Sequence, residues 1–227
     1  MKTTIFFLLF FFFISPILTS CSQGAKIENT GQPIAQVTKP RTGKGRLVVL
    51  DPGHGGFDKG AYIGSFQEKI LTLKTASLVK KYLNEIGYRA ILTRTQDIFI
   101  PLEKRVTIAN DTGCKLFVSI HYNAHKDTTI NGIEVFFYNR GLKARAEASR
   151  KLAGKVLTKL IEKTGAGSRG VKQGNYHVIR ETKMPAILIE GGFISNPKER
   201  EWLSRKTTLD TIALSIAEGI DNYLNSK

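Results

Sequence analysis

Three side chains that could bind a metal ion or carry a proton stand at the ends of predicted strands. His54 follows the run RLVVLD, His121 ends the run LFVSIH, and Glu190 ends the run AILIE. Short apolar runs bounded by turn residues are typical of strands buried in a sheet. Ligands of open α/β sheets bind beyond the carboxyl ends of the strands. The strand pattern alone therefore predicts that these three side chains share one edge of the sheet.

His54 lies in a glycine-rich turn, DPGHGG. Glycine allows backbone conformations that are closed to other residues, so the turn could bring an imidazole close to a site and leave room for a ligand. A tight turn with an exposed histidine would explain the same pattern. The turn is not predicted to bind phosphate, because the spacings GxGxxG and GxxxxGK followed by Ser or Thr are absent.

Glu68 has two interpretations. The segment SFQE, from Ser65 to Glu68, fits a capping box, in which the glutamate binds the backbone at the start of its own helix. That helix start also faces the carboxyl edge of the sheet if the crossover is right-handed. Glu68 could then reach the same site as His54, and the spacing does not decide between the two roles.

Two other histidines are weaker candidates. His125 lies in a polar loop beside Asn123, where we expect it to be solvated. His177 follows Tyr176 and either lines the cleft or is a hydrogen-bonded core histidine. For Glu190, a buried carboxylate without a partner is costly, so a structural role would require either a neighbouring cation, such as Arg94 or Arg180, or several hydrogen-bond donors.

Apolar periodicity predicts strands and helices that alternate along the chain. The strands are predicted over residues 46–51, 89–93, 116–121, 132–138 and 186–190, and the helices over residues 65–86, 102–110, 143–163 and 207–225. This alternation indicates a single α/β domain with a twisted, mostly parallel sheet. The continuously apolar strands agree, because parallel strands are buried on both faces.

The first residues are typical of an exported protein. An almost continuous apolar run over residues 5–18 follows Lys2. It is shorter than the ~20 residues of a membrane span and has the proportions of a signal-peptide core. It ends in LTSC, which resembles the bacterial lipobox, so Cys21 is predicted to be lipidated and to become the new N-terminus. An ordinary signal peptide and an uncleaved anchor are the alternatives.

The chain is thus predicted to have three parts. They are a signal peptide over residues 1–20, a lipidated N-terminus with a flexible tether over residues 21–45, and a folded domain over residues 46–227. The tether is poor in large apolar residues and contains Gly, Pro, Thr and Lys, a composition typical of flexible linkers.

Charge and cysteine content limit the partners. The formal net charge is +15, which favours polyanionic surroundings. Exported proteins rarely meet nucleic acid, so we expect anionic wall polymer or lipid headgroups as partners and no nucleic acid. A solvated basic surface without a partner is the alternative.

Cys114 has no partner if Cys21 is lipidated, so no intrachain disulfide is expected. We expect a monomer.

A longer set of motifs occurs in a fixed order. They are VVLDPGHGG with Asp58 and Gly60, then Glu68, Arg94 in LTR, Arg105-Val106, Ala109-Asn110, FVSIHYNA and MPAILIEGGFISNPKE. Together they resemble the zinc-dependent N-acetylmuramoyl-L-alanine amidases of the type-3 group, over nearly everything from Arg46 onward. The departures are Tyr122, where these amidases usually have a small residue, and His177, where they often have an apolar one.

The resemblance implies a sheet with helices on both faces and one catalytic zinc per chain. By matching motifs, the zinc ligands are His54, Glu68 and His121, and the catalytic glutamate is Glu190. The implied activity is hydrolysis, by zinc-activated water, of the amide bond between N-acetylmuramic acid and L-alanine of peptidoglycan. Residues 46–227 would be the catalytic domain of a membrane-anchored lipoprotein that faces the cell wall, in the periplasm if the host has an outer membrane.

Other functions remain open at this point. A zinc hydrolase of the same fold could cleave a stem-peptide bond, and a wall-binding lipoprotein could have lost activity, although all four site residues are present. A cysteine hydrolase is disfavoured because Cys114 precedes its strand and so lies at the wrong end of the sheet. A serine hydrolase is disfavoured because no GxSxG motif occurs.

Overall fold

The computed structural model describes residues 46–226, so the predicted signal peptide, Cys21 and the tether lie outside the described residues. The strands are β1 (Leu47–Pro52), β2 (Tyr62–Ile63), β3 (Phe66–Gln67), β4 (Arg89–Leu92), β5 (Leu116–Asn123), β6 (Ile133–Phe137), β7 (Ser168–Gln173) and β8 (Ala186–Phe193). The helices are α1 (Glu68–Glu85), α2 (Leu102–Asp111), α3 (Lys143–Thr164), α4 (His177–Glu181), α5 (Pro197–Ser204) and α6 (Lys206–Leu224). Within residues 46–226, no helix is both long enough and apolar enough to cross a membrane.

Six of the strands form one sheet, in the order β4-β1-β5-β8-β6-β7. Neighbouring strands are parallel, except that β6 runs antiparallel to β8. The prediction of an α/β domain with a mostly parallel sheet is therefore confirmed. The central strands β5 and β8 are buried along nearly their whole length, which explains their continuous apolar runs.

Side chains alternate between the two faces of the sheet and build two apolar cores. On one face, Leu50 and Val118 belong to a core that includes residues of α1, α3 and α6. On the other face, Val49, Phe117 and Leu188 belong to a core that includes residues of α2 and α4. Helices thus cover both faces, as the resemblance implies.

The face with α2 and α4 is covered less completely. These helices have 10 and 5 residues, whereas α1, α3 and α6 have 18, 22 and 19. The side chains of Asp51, His121 and Glu190 lie on this face of the sheet. Each follows a residue of the core on this face (Val49, Phe117 and Leu188, respectively) by an even number of positions along the same strand. The shorter helices leave this polar edge of the sheet accessible.

One difference from the predicted elements lies before α1. The helix begins at Glu68 and not at Ser65, because strands β2 and β3 form a hairpin over these residues. A Gly-Ser pair between two short apolar runs is itself a hairpin signal, and it outweighs the helical periodicity here.

Three further elements are absent from the prediction. β7 has the polar sequence SRGVKQ and lies at the edge of the sheet, so it lacks an apolar run. α4 is shorter than two turns. α5 begins with Asn196 as its N-cap and Pro197 in its first turn, a capping pattern that the sequence did offer.

Helices α3 and α6 approach each other closely at Gly219. A Cβ atom at this position would lie 2.5 Å from the Cα of Val156. Packed interiors have little free volume to absorb such a contact, so the two helices can only keep this distance with glycine here.

We expect Gly219→Ala to lower the free energy of unfolding by about 1–3 kcal/mol, the usual cost of overpacking a core. Gly154→Ala in α3 is the matched control, because a Cβ there meets nothing within 4 Å. Alanine is favoured over glycine in helices by up to about 1 kcal/mol, so the control should be neutral or stabilised. Chemical denaturation measures both, and a Gly219→Ala protein as stable as the wild type would contradict the close approach.

Candidate active site

The loop that follows β1 presents His54 at the carboxyl edge of the sheet. His54 has a φ of +61° and is the one non-glycine residue with positive φ among the described residues. This conformation is uncommon for a residue with a side chain, and such strain concentrates at functional sites. The surrounding structure must therefore hold the loop in place.

Two buried arginines hold it. Arg94, only 2% exposed, donates to the carbonyls of Gly53 and Lys69, which joins the loop to the first turn of α1. Arg105 pairs with buried Asp51 at 2.7 Å and donates to the carbonyl of His54 at 2.7 Å. The sequence motifs include both arginines, but only the structure shows that they bind the backbone of this loop.

Glu68 is the first residue of α1, and its side chain points towards the sheet edge. Its Oε2 accepts a hydrogen bond from the backbone N–H of Ala61 at 2.8 Å, and its Oε1 accepts one from the N–H of Tyr122 at 3.0 Å. The N-cap is Gln67, which makes no side-chain capping bond. The capping-box interpretation of Glu68 is therefore wrong, because the hairpin places Ser65 outside the helix start.

The structure brings His54, Glu68 and His121 together. Nε2 of His54 lies 3.1 Å from Oε2 of Glu68, and Nδ1 of His121 lies 2.9 Å from Oε1. One ligand atom from each residue lies within 4.8 Å of the others. The carboxylate thus bridges the two imidazoles, with one oxygen facing each ring. We refer to these three residues as the His–Glu–His cluster.

Two glycines allow the backbone to pass close to this cluster. A Cβ on Gly53 would lie 2.2 Å from the ring of His121. A Cβ on Gly60 would lie 2.5 Å from Oε2 of Glu68 and 2.5 Å from the ring of His54, and Gly60 has a φ of +64°. This close approach is the role that the glycine-rich turn suggests in the sequence.

Asp58 orients the ring of His54 from its other side. Its Oδ2 lies 2.8 Å from Nδ1 of His54, so Nε2 is the nitrogen that faces Glu68. A carboxylate behind a metal-binding imidazole fixes the tautomer and the ring orientation. Asp58 is present in the sequence motifs, yet its role could not be inferred there, because the path of the chain through the intervening glycines is needed to place it.

The charges of the cluster stabilise one another. Burial alone would raise the pKa of Glu68, but hydrogen bonds from His121 and His54 hold it far below its ordinary value. Burial alone would lower the pKa of His54, but Glu68 and Asp58 raise it above its ordinary value. Glu68 is therefore ionised at neutral pH, which is the state that a metal ligand requires.

Glu190 lies beside the cluster without joining it. It is the register partner of His121 on the neighbouring strand β8 and is 9% exposed. Its Oε2 is the one buried side-chain polar atom in residues 46–226 that lacks a hydrogen-bond partner. Burial, reinforced by the nearby charges of Glu68 and Glu134, raises its pKa well above the ordinary value.

The two cations that could have given Glu190 a structural role bind elsewhere. Arg94 donates to backbone carbonyls and to Thr72, and Arg180 pairs with its neighbour Glu181 at 2.6 Å. Within the described part of the chain, no ion pair includes Glu190. A buried and strongly perturbed carboxylate next to a candidate metal site is typical of a functional group.

A pocket of about 420 Å³ opens over the two histidines of the cluster, His54 and His121. Its walls come from Phe99, Ile100 and Leu102 at the start of α2 and from Tyr176 and His177 at the start of α4. The pocket therefore occupies the gap that the two short helices leave over the carboxyl edge of the sheet.

The remaining candidates lie outside the cluster. His125 is exposed in the loop after β5, as expected. His177 lines the pocket, with Nδ1 3.3 Å from Nη2 of Arg180. Cys114 is a free, buried thiol before β5, so it lies at the amino end of the sheet, away from the site.

Residues 48–222 match the family of N-acetylmuramoyl-L-alanine amidases. This match spans well over half of the chain, and the protein therefore belongs to that family.

Similar proteins include a cell wall amidase relative and two amidases of known structure. The probable cell wall amidase LytH of Staphylococcus epidermidis is 33% identical over 201 residues, and the match covers 87% of this chain and 65% of LytH. The catalytic domain of CwlV, an N-acetylmuramoyl-L-alanine amidase of Bacillus (Paenibacillus) polymyxa var. colistinus, is 37% identical with a TM-score of 0.73, covering 80% of this chain and 99% of that domain. The N-acetylmuramoyl-L-alanine amidase of Clostridium difficile 630 is 35% identical with a TM-score of 0.77, covering 81% and 99%.

The burial of Glu190 predicts a pH-dependent stability. Because burial raises the pKa of Glu190 in the folded state, ionisation of this carboxylate destabilises the fold. The loss of stability is complete above the folded-state pKa and absent below the unfolded-state pKa of about 4.3. In the presence of a chelator, Glu190→Gln should therefore gain stability relative to the wild type as pH rises from about 4 to 8, by about 1.4 kcal/mol for each unit of pKa elevation.

Denaturation at a series of pH values measures this difference. Glu85→Gln, at the exposed end of α1, is the control and should differ from the wild type by a small amount that changes little with pH. A Glu190→Gln difference that stays constant from pH 4 to 8 would show that the buried carboxylate is not destabilised.

Proposed function

We propose that this protein hydrolyses the amide bond between N-acetylmuramic acid and L-alanine of peptidoglycan. The observation that carries the proposal is the His–Glu–His cluster beside the unpartnered carboxylate of Glu190. Membership of the amidase family supports the reaction, and the similarity to the catalytic domain of CwlV supports the assignment of residues 46–227 as a catalytic domain. The peptidoglycan layer is the partner that this activity requires.

The cluster has the donors that a catalytic zinc ion needs. Such sites use three protein ligands and keep one position open. His54 and His121 offer imidazole nitrogens, Glu68 offers an ionised carboxylate, and the three ligand atoms lie close enough to share one ion. We infer that these residues hold one zinc per chain. When bound, zinc lowers the pKa of a water molecule and polarises the scissile carbonyl.

Glu190 carries the proton in this account. A carboxylate with a raised pKa can accept a proton from the attacking water and return it to the leaving amine. Its Oε2 makes no hydrogen bond within the described residues, so no protein group competes for that proton. Asp58 orients His54, while Arg94 and Arg105 hold the loop that carries it.

Purified protein should contain about one zinc per chain by elemental analysis, the stoichiometry of a three-ligand catalytic site. His54→Ala and His121→Ala should lose most of it, whereas His125→Ala, which changes an exposed loop histidine, should retain it. Asp58→Ala should bind zinc roughly 10–100-fold more weakly, the usual effect of losing a partner of a metal-binding histidine. Full zinc content in the Glu68→Ala protein would exclude Glu68 as a ligand.

The product of the reaction tests the proposed bond. Incubation of the protein with purified peptidoglycan should release stem peptides with a free L-alanine amine and leave glycan strands without peptide. Mass spectrometry identifies both products. Fragments in which muramic acid and L-alanine remain joined would instead indicate a peptidase that cleaves within the stem peptide.

We propose that the protein is exported and anchored in a membrane through a lipidated Cys21, facing the cell wall. The motivation is the sequence LTSC after an apolar run, and several acyl chains would anchor stably where one is marginal. Metabolic labelling with a fatty acid should mark the wild type and not Cys21→Ala. Equal labelling of both would contradict the anchor.

A further inference from the structure

Two basic side chains beside Glu190 have no part in the proposed reaction. Glu134 of β6 is the register partner of Glu190 across the antiparallel pair of strands. Its Oε2 accepts hydrogen bonds from Nε of Arg169 at 3.1 Å and from Nζ of Lys172. Both cations belong to β7, the edge strand next to β6. We call Arg169 and Lys172 the basic pair.

The basic pair carries more charge than its partner neutralises. Within residues 46–226, Glu134 is the one acidic residue that forms an ion pair with either cation. A guanidinium has five N–H donors and an ammonium has three, and Glu134 accepts one from each. The side chains of Arg169 and Lys172 remain 34% and 39% exposed. The pair therefore keeps one net positive charge and free donors that solvent or a ligand can reach.

The surrounding residues hold the basic pair in position. The guanidinium of Arg169 lies over the ring of Phe193, 5.2 Å from its centroid. Asn123 of β5 donates to Oε1 of Glu134 at 2.9 Å, which fixes the carboxylate that both cations share. Donors that are already ordered lose less entropy when they bind a ligand, so this arrangement favours binding of an anion.

The basic pair lies near one wall of the pocket and is connected to it through Phe136. Tyr176 lines the pocket and packs against Phe136 of β6 with ring centroids 5.1 Å apart, and Phe136 is the register partner of Lys172. Only β6 separates β7 from the strand of Glu190, so the backbone of β7 lies roughly 10 Å from that of β8 at the usual strand spacing. The charged ends of Arg169 and Lys172 reach back to Glu134 on β6, which places them roughly 5–10 Å from the strand of Glu190. An extended peptide covers about 3.3–3.6 Å per residue. The distance suits a group two or three residues along a peptide whose first amide bond lies at Glu190.

We propose that the basic pair binds the free carboxylate of the second residue of the stem peptide, a glutamate that some cell walls carry as the acid and others as the amide. The inference rests on the proposed function, because it assumes that the scissile amide lies at Glu190. Charge-assisted hydrogen bonds from arginine and lysine are the strong contacts to a carboxylate. The stem peptide then extends towards β7, and the protein prefers muropeptides whose second residue is not amidated.

The test compares two muropeptides that differ only in this acid or amide group. The wild type should cleave the acid with a kcat/KM roughly tenfold or more above that for the amide, the scale of hydrogen bonds to charged groups. Lys172→Met and Arg169→Met should lose most of this preference through a higher KM for the acid, with the amide little affected. Lys172→Arg keeps the charge and should keep the preference. Lys151→Met, on the exposed side of α3, is the control.

The ratio of the two kcat/KM values within one preparation does not depend on the fraction of protein that is folded. A wild type that cleaves both muropeptides equally well would overturn the inference and leave the proposed function intact. Variants that lose activity equally on both substrates would also overturn it, since the pair would then act only through Glu134 and Glu190. A wild type that cleaves neither muropeptide would contradict the proposed function itself.

Discussion

The site depends on the carboxylate of Glu68, which joins three parts of the chain that are far apart in sequence. It meets His54 from the loop after β1, His121 from β5, and the backbone N–H groups of Ala61 and Tyr122. A buried carboxylate is costly unless several donors compensate it. This one is 4% exposed, accepts hydrogen bonds from both backbone N–H groups, and lies 2.9 Å from His121 and 3.1 Å from His54. The first residue of α1 therefore fixes the positions of helix, loop and strand together.

The same edge of the sheet holds a second carboxylate in the opposite situation. Glu190 has neither a cation nor a hydrogen bond to its Oε2 within residues 46–226, and its pKa is raised, whereas that of Glu68 is lowered. Carboxylates whose environments push their pKa values apart commonly divide the roles of charge carrier and proton carrier. On this basis Glu68 is suited to bind a cation and Glu190 to exchange a proton.

Much of this arrangement follows from the sequence, for reasons that particular residues make clear. The runs before His54, His121 and Glu190 are continuously apolar, and parallel topology then places their carboxyl ends at one edge. The position of Glu68 could not be settled in this way, because the hairpin before α1 depends on the Gly64–Ser65 turn and competes with a capping pattern. Glu134 lies in a strand that its apolar neighbours predict, but the polar strand β7 lacks an apolar signal. The proximity of Glu134 and β7 to Glu190 therefore emerges only from the order of strands in the sheet.

We propose that Glu190 carries the proton and does not serve as a ligand or a structural ion. Glu190→Gln keeps the size of the side chain and removes its ability to accept a proton. Zinc content, melting temperature and turnover of peptidoglycan should be measured on one preparation of this variant. We expect a folded protein that retains its zinc and loses on the order of a hundredfold or more in turnover, the usual contribution of general acid–base catalysis. A folded, zinc-loaded variant with near-normal turnover would contradict it.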